Sequence, residues 1–224
     1  MTALLDELDA RIAASPLAAA PLRRVRREFS RRLKTEEPAK VVKLALQLQR
    51  RGGMARRFVA YELVNHHGGA LASLKARDVE RLARGLDGWG VVDAFACCVA
   101  GPVWRERQVS DALILRWTRS ADRWRRRAAL VSTVPLNSRA RGGRGDAPRT
   151  LAVCRTLIAD RDDMVVKAMS WALRELAKRD PAAARRFVAA HRTELASRVV
   201  REVGNKLATG LKNPRRGARR RQSA

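Results

Sequence analysis

A chain of 224 residues carries 48 lysines and arginines against 22 acidic residues, a net charge of +26, while 46% of it is hydrophobic. That much apolar surface offsets chain entropy and excludes a wholly disordered polyelectrolyte; the length suits one substantial domain or a short repeat array. Such a charge calls for a polyanionic partner, nucleic acid foremost, because each phosphate neutralised releases counterions.

The N-terminal stretch MTALLDELDARIAASPLAAA places Asp6, Glu7, Asp9 and Arg11 where a secretion signal needs apolar residues, so a cytoplasmic location is expected. PAKVVKLALQLQRRGG predicts a helix with Val41, Leu44, Leu46 and Leu48 near one side, stopped by a glycine pair. MARRFVAYELVNHHGG predicts a second helix built the same way, with Phe58, Tyr61 and Leu63 ahead of Gly68 and Gly69. A short helix follows in KARDVERLARGLDG, with Val79, Leu82 and Leu86 apolar.

LDGWGVVDAFACCV then sets Trp89 and Asp93 four residues apart, on one face if helical. A core needs only the tryptophan, and a phosphate-binding surface should avoid the carboxylate. The longest uncharged apolar run, FACCVAGPVW, is too short to span a membrane, so no membrane association is expected. Cys97, Cys98 and Cys154 lack CxxC or metal-type spacing and read as small buried hydrophobes in a reducing compartment; neither metal nor cofactor is expected.

In SADRWRRRAALVSTV the expected core set is Trp124, Ala128 and Val131, with Arg127 emerging beside Trp124 and Arg123, Arg125 and Arg126 fanning over the surface. Composition alone does not choose among these arginines. PLNSRARGGRGDAPR reads as a flexible surface loop. MVVKAMSWALRELAKRD predicts a helix with Val165, Met169, Leu173 and Leu176 on its core face and a separate stripe of Lys167, Trp171, Arg174 and Lys178. An indole between cations suits a nucleic-acid surface, although filling an inter-helix gap is the commoner fate of a tryptophan. The tail TGLKNPRRGARRRQSA has no apolar periodicity and is expected to be a disordered basic arm. Strand-type alternation is absent, so the fold class expected is all-α.

Helix starts of the form Asp-x-apolar recur at Asp87-Gly-Trp89, Asp122-Arg-Trp124 and Asp163-Met-Val165, spaced by 35 and 41 residues. An aspartate there can cap a first helical turn, and the period matches stacked helix-pair repeats.

Asp93 has two readings at this point. It is either a carboxylate neutralised by one of many arginines, or one held ionised in a positive field and aimed at a developing cation. The second suits cleavage of the N-glycosidic bond of an alkylated purine: the base is cationic, the sugar gains oxocarbenium character, and an indole face attracts either.

WGVVD (89–93), RWRRRAALV (123–131) and VVKAMSWALRELAKRDP (165–181), in that order, resemble the AlkD-type DNA alkylation repair family over about residues 40–205. The resemblance implies HEAT-like helical repeats stacked into a curved solenoid with a basic concave face, forming one domain over 1–208 before a tail at 209–224. It implies a monomeric alkylpurine DNA glycosylase releasing cationic N3- or N7-alkylated purines from double-stranded DNA. Carried over residue by residue, Trp89 packs on the lesion nucleotide, Asp93 is the catalytic carboxylate, and Arg127 contacts the backbone at the lesion. Trp171 is a second aromatic on that surface; Lys167, Arg174, Trp124 and Arg123 complete the expected DNA-binding set. Two departures stand out: Gly88 and Gly90 flank Trp89 where the family often has a tryptophan and a polar residue, and an Ala-rich run precedes Pro21 where an aromatic and a glycine are usual. The competing readings are a non-catalytic helical-repeat protein recognising damaged, bent or branched DNA, which shares every basic feature, and a protein-interaction solenoid, which leaves the charge unexplained.

Overall fold

A computed structural model describes residues 2–214, and among them every regular element is a helix. The chain divides into two compact units, the first through Leu113 and the second from Ile114. No described helix is long and apolar enough to cross a membrane.

The first unit contains α1 (Thr2–Ala13), α2 (Ala19–Arg32), α3 (Pro38–Arg50), α4 (Met54–Asn65), α5 (Gly68–Ser73), α6 (Ala76–Leu82), α7 (Trp89–Phe95) and α8 (Gly101–Arg105). Helix α4 is central, packed against α2, α3 and α7, while α3 leans on α1, α5 and α6. Every residue from Val59 to Val64 is buried, so this half of α4 is covered on all sides rather than along one stripe. Its one buried carboxylate, Glu62, accepts from Arg23 at 2.9 Å and Arg26 at 3.2 Å, and Tyr61 donates its hydroxyl to the Leu82 carbonyl at 3.0 Å. Pairing is what makes that charge tolerable; removing one partner of such a pair costs about 3–5 kcal/mol.

The glycine pairs behave differently. Gly52 and Gly53 have φ of +76° and +77° and end α3 as expected. Gly68 and Gly69 do not stop α4, which ends at Asn65; they open α5, with His67 Nδ1 accepting from the Ala70 amide at 3.0 Å. Between α7 and α8 lies a π-helical turn, Ala96–Ala100, which carries the buried Cys97–Cys98 pair. Such turns are inserted into α-helices, often at functional positions.

The second unit begins within α9 (Asp111–Thr118) and holds α10 (Arg123–Ser132), α11 (Val134–Asn137), α12 (Ala147–Thr156), α13 (Asp163–Leu176), α14 (Pro181–Ala190) and α15 (Ser197–Thr209). Helix α13 is its centre, packed between α10 and α15 with α12 and α14 alongside. Val165, Met169, Leu173 and Leu176 are all buried, as the apolar spacing predicts.

Aspartate capping is real but falls partly on other residues. Asp122 caps α10 by accepting from the Trp124 amide at 2.9 Å. On α13 the cap is Asp162, which accepts from Met164 at 2.9 Å; Asp163 is already helical and pairs with Lys167 and Arg198, each at 2.7 Å. Asp87 caps nothing, because Gly88 holds that position on α7, and its carboxylate instead accepts from Arg57 at 2.8 Å.

The glycine-rich segment expected to be flexible is stitched down. Gly143 donates to the Ser138 carbonyl at 2.8 Å, Gly145 to Leu136 at 2.9 Å, and Arg179 bonds the carbonyls of Asn137 (2.8 Å) and Gly143. Of the expected basic tail, residues 215–224 lie outside the described residues. The part before them returns to α15, where Lys212 reaches Glu202 at 3.5 Å and accepts at its carbonyl from Asn205 at 3.1 Å.

Candidate functional site

In the first unit the sequence GWG sets the entry to α7. Gly88 is extended (φ −167°) and Trp89 is the first helical residue, 63% exposed. Its four counterparts differ: Trp104 and Trp117 are buried at 1% and 3%, and Trp124 and Trp171 are half-buried. Burying an indole is strongly favourable, so the one that stays in solvent is the informative one. Asp93 follows one turn later on the same helix and is half-buried.

The flanking glycines have separate effects. A methyl group at Gly88 would meet open space, whereas one at Gly90 would stand 3.3 Å from Sδ of Met54. Met54, 46% exposed, therefore lies against the residue following Trp89 and extends the apolar surface there. Nothing in the sequence singled out Met54; the available clue was the missing side chain at Gly90.

In the second unit the structure separates the arginines that composition could not. Arg126 is structural, bonded to Asp160 (2.7 Å) and to the carbonyls of Ser120 (2.9 Å) and Ala121 (2.8 Å). Arg125 lies over the Trp117 ring at 5.6 Å. Arg123 is exposed, stacks on the Trp124 ring at 5.2 Å and sits 3.5 Å from Asp162. Arg127, expected to emerge beside Trp124, is only 6% exposed and donates Nη1 to the Met164 carbonyl at 2.6 Å, tying α10 to the start of α13. Trp124, expected in the core, is half-exposed in the first turn of α10, while the buried run of that helix is Arg127–Ser132. The inversion follows from packing: α13 covers the later turns of α10, and a long arginine stem can be buried where its head finds a carbonyl.

On α13 the stripe is present as a surface feature. Lys167 and Lys178 are exposed, and Trp171 and Arg174 are half-buried between them. Lys167, hydrogen-bonded to Asp163, holds that carboxyl below the usual carboxylate range. Arg174 donates Nε to Ser170 Oγ at 3.2 Å, and Ser170 donates to Glu202 at 2.6 Å. Burial draws the Arg174 guanidinium below the ordinary arginine pKa against the pull of Glu202 and Glu175, yet a guanidinium stays charged at neutral pH. Among the described residues, no three His, Cys, Asp or Glu side chains gather as a metal ion would need. Burial pushes the Cys154 thiol far above its usual pKa, so it is a packing group and not a nucleophile.

Trp89 and Asp93 thus share one helix of the first unit, and Arg123, Trp124, Arg127, Lys167, Trp171 and Arg174 lie on two packed helices of the second. No individual curated protein matches the chain. A protein family described as DNA alkylation repair enzyme matches residues 16–207. On that match, which spans both units, the chain belongs to the DNA alkylation repair enzyme family and acts on DNA.

Proposed function

We infer that the protein is a DNA glycosylase of base excision repair, hydrolysing the N-glycosidic bond of cationic N3- and N7-alkylated purines in double-stranded DNA. The observation that carries this reading is the exposed Trp89 one helical turn before a half-buried carboxylate, in a chain of charge +26. In this reading the helices are HEAT-like repeats of one curved, monomeric domain with a basic concave face.

The chemistry needs little from the protein beyond electrostatics. Alkylation at a ring nitrogen makes the base a cation; when the C1′–N bond breaks, its electron pair returns to the base, which leaves neutral. The sugar takes the positive charge. Asp93 stabilises that oxocarbenium ion and accepts a proton from the water that adds to C1′, while the indole of Trp89 packs on the sugar or base by cation–π attraction. Trp171, Lys167, Arg174, Trp124 and Arg123 hold the duplex. Arg127 reaches the backbone only through the small part of its side chain left exposed, its guanidinium being held by the Met164 carbonyl.

The test is release of free base. A duplex carrying N7-methylguanine is incubated with the protein, and liberated base and abasic sites are measured. Release in excess of the spontaneous rate is expected; a protein that binds the duplex yet releases nothing leaves DNA recognition without catalysis, the rival reading.

A further inference from the structure

The first unit holds a cleft of about 230 Å³ lined by four arginines: Arg50 at the end of α3, Arg57 on α4, Arg81 on α6 and Arg84 just past its end. Carboxylates there are few. Asp87 takes one Nη of Arg57 at 2.8 Å, Asp78 stands 3.9 Å from Arg81, and Arg50 and Arg84 have no ion pair among the described residues. Four like charges around one small space repel, and a compact anion would relieve that repulsion.

The cleft is built to hold this arrangement. Gly85 has φ +68°, and a Cβ there would stand 2.7 Å from Nη2 of Arg57, so the glycine makes room for the guanidinium. Gln49 pins the same turn by donating to the Arg84 carbonyl at 2.6 Å. Arg57 itself has only 12% of its side chain exposed, and its Nε is buried with no hydrogen-bond partner. That donor is desolvated and unused, and the guanidinium it belongs to is on a residue that lines the cleft.

Two features give the anion's class. An adjoining cleft of about 620 Å³ shares Arg50 and Arg81 and adds Lys43, Lys75 and Arg77 against two carboxylates, Glu37 and Asp78. Cations therefore run along about two turns of α3, roughly 10 Å from Lys43 to Arg50, longer than one phosphate group needs. The cleft also abuts the loop that presents the exposed indole, since Gly85 and Trp89 are joined by at most about 14 Å of extended chain. We propose that this cleft holds a backbone phosphate of duplex DNA next to the nucleotide at Trp89, an assignment that rests on the DNA-repair reading above.

The test is the salt dependence of binding to an undamaged duplex, followed by fluorescence anisotropy, for the wild type and Arg50→Gln/Arg84→Gln. Both arginines are exposed, so the unfolding midpoint should be unchanged, which is checked in parallel. The variant should bind several-fold more weakly, with a log K against log salt slope shallower by about 0.9 for each phosphate that it no longer neutralises. Arg185→Gln/Arg186→Gln, removing two exposed arginines of α14, controls for net charge. Equal slopes for wild type and variant, or the same change in the control, overturn the proposal while leaving DNA binding intact. A flat slope for the wild type instead removes the DNA-binding reading itself. Titration with inorganic phosphate covers the other source: binding to wild type but not to the variant, with unchanged DNA slopes, would assign the cleft to a free phosphate and overturn the backbone assignment.

Discussion

Replacing Gly143 by alanine should damage the second unit although the backbone there needs no glycine dihedral. Gly143 lies outside the positive-φ residues, so the cost is one of space. A Cβ would stand 2.7 Å from the Leu136 carbonyl carbon, 2.7 Å from the Pro135 oxygen and 2.8 Å from the Asn137 carbonyl carbon. All three are main-chain atoms, which cannot swing aside as a side-chain tip can. Overpacking of this kind costs about 1–3 kcal/mol. Moving the loop also strains the bonds from Gly143 to Ser138 and from Arg179 to Asn137, both 2.8 Å, and breaking one of them adds about 1 kcal/mol. The sum is about 2–4 kcal/mol, or a fall of roughly 4–16 °C in Tm for a chain of this length. These bonds join the end of the α10–α11 segment to the end of α13, so the loss reaches the helices that carry Arg123 and Lys167. Urea unfolding followed by helical circular dichroism measures it, with Gly88→Ala, which meets open space, as the comparison. A Gly143→Ala protein within about 0.5 kcal/mol of wild type would refute the steric reasoning.

Three other outcomes follow from the geometry. At Asp9 burial raises the carboxyl pKa, but hydrogen bonds from Arg56 and Arg51 outweigh it and the net shift is downward. A depressed folded pKa stabilises above the unfolded value, about 3.9, and that contribution is lost as pH falls through the folded pKa. Stability should hold from neutral pH to about 5 and decline below about 4; Asp9→Asn should show a shallower acid decline, and a parallel one would contradict the assignment. Cys97, Cys98 and Cys154 are all buried, so a thiol reagent should label none in the native protein and all three after denaturation; native labelling of Cys154 would show its burial wrong. Trp89→Ala should leave the unfolding free energy in urea within about 1 kcal/mol of wild type, because the side chain is 63% exposed, while weakening binding to lesion DNA roughly 5- to 150-fold, the worth of one stacked base. Unchanged lesion binding would remove the indole from the site.

How much of this was legible in the sequence depends on whether a residue's fate is set by its own helix. The all-α class and the core faces of α3 and α13 followed from apolar spacing, because each helix buries one side. Helix α4 was less legible: from Val59 to Val64 it is buried on every side and has no stripe, and its Glu62 is tolerable only through Arg23 and Arg26 from α2. The cap of α13 was misplaced by one residue because Asp162 and Asp163 are adjacent and either chemistry fits. The reversal of Trp124 and Arg127 had the same origin, since the acceptor for Arg127 is the carbonyl of Met164 on another helix. Met54 against Gly90 and Arg57 against Gly85 are encoded as absences of side chain, which periodicity does not register. The Trp89–Asp93 pair was visible because both residues sit on one turn.

The proposed catalysis turns on Asp93. Single-turnover release of N7-methylguanine by the wild type should be compared with that by Asp93→Asn, with duplex affinity measured for both. Asparagine keeps the shape and removes the charge, so release should fall by at least about 100-fold, the scale of removing one electrostatic interaction made in the transition state, while affinity stays within a few-fold. Equal release by the two proteins would contradict the carboxylate's role outright.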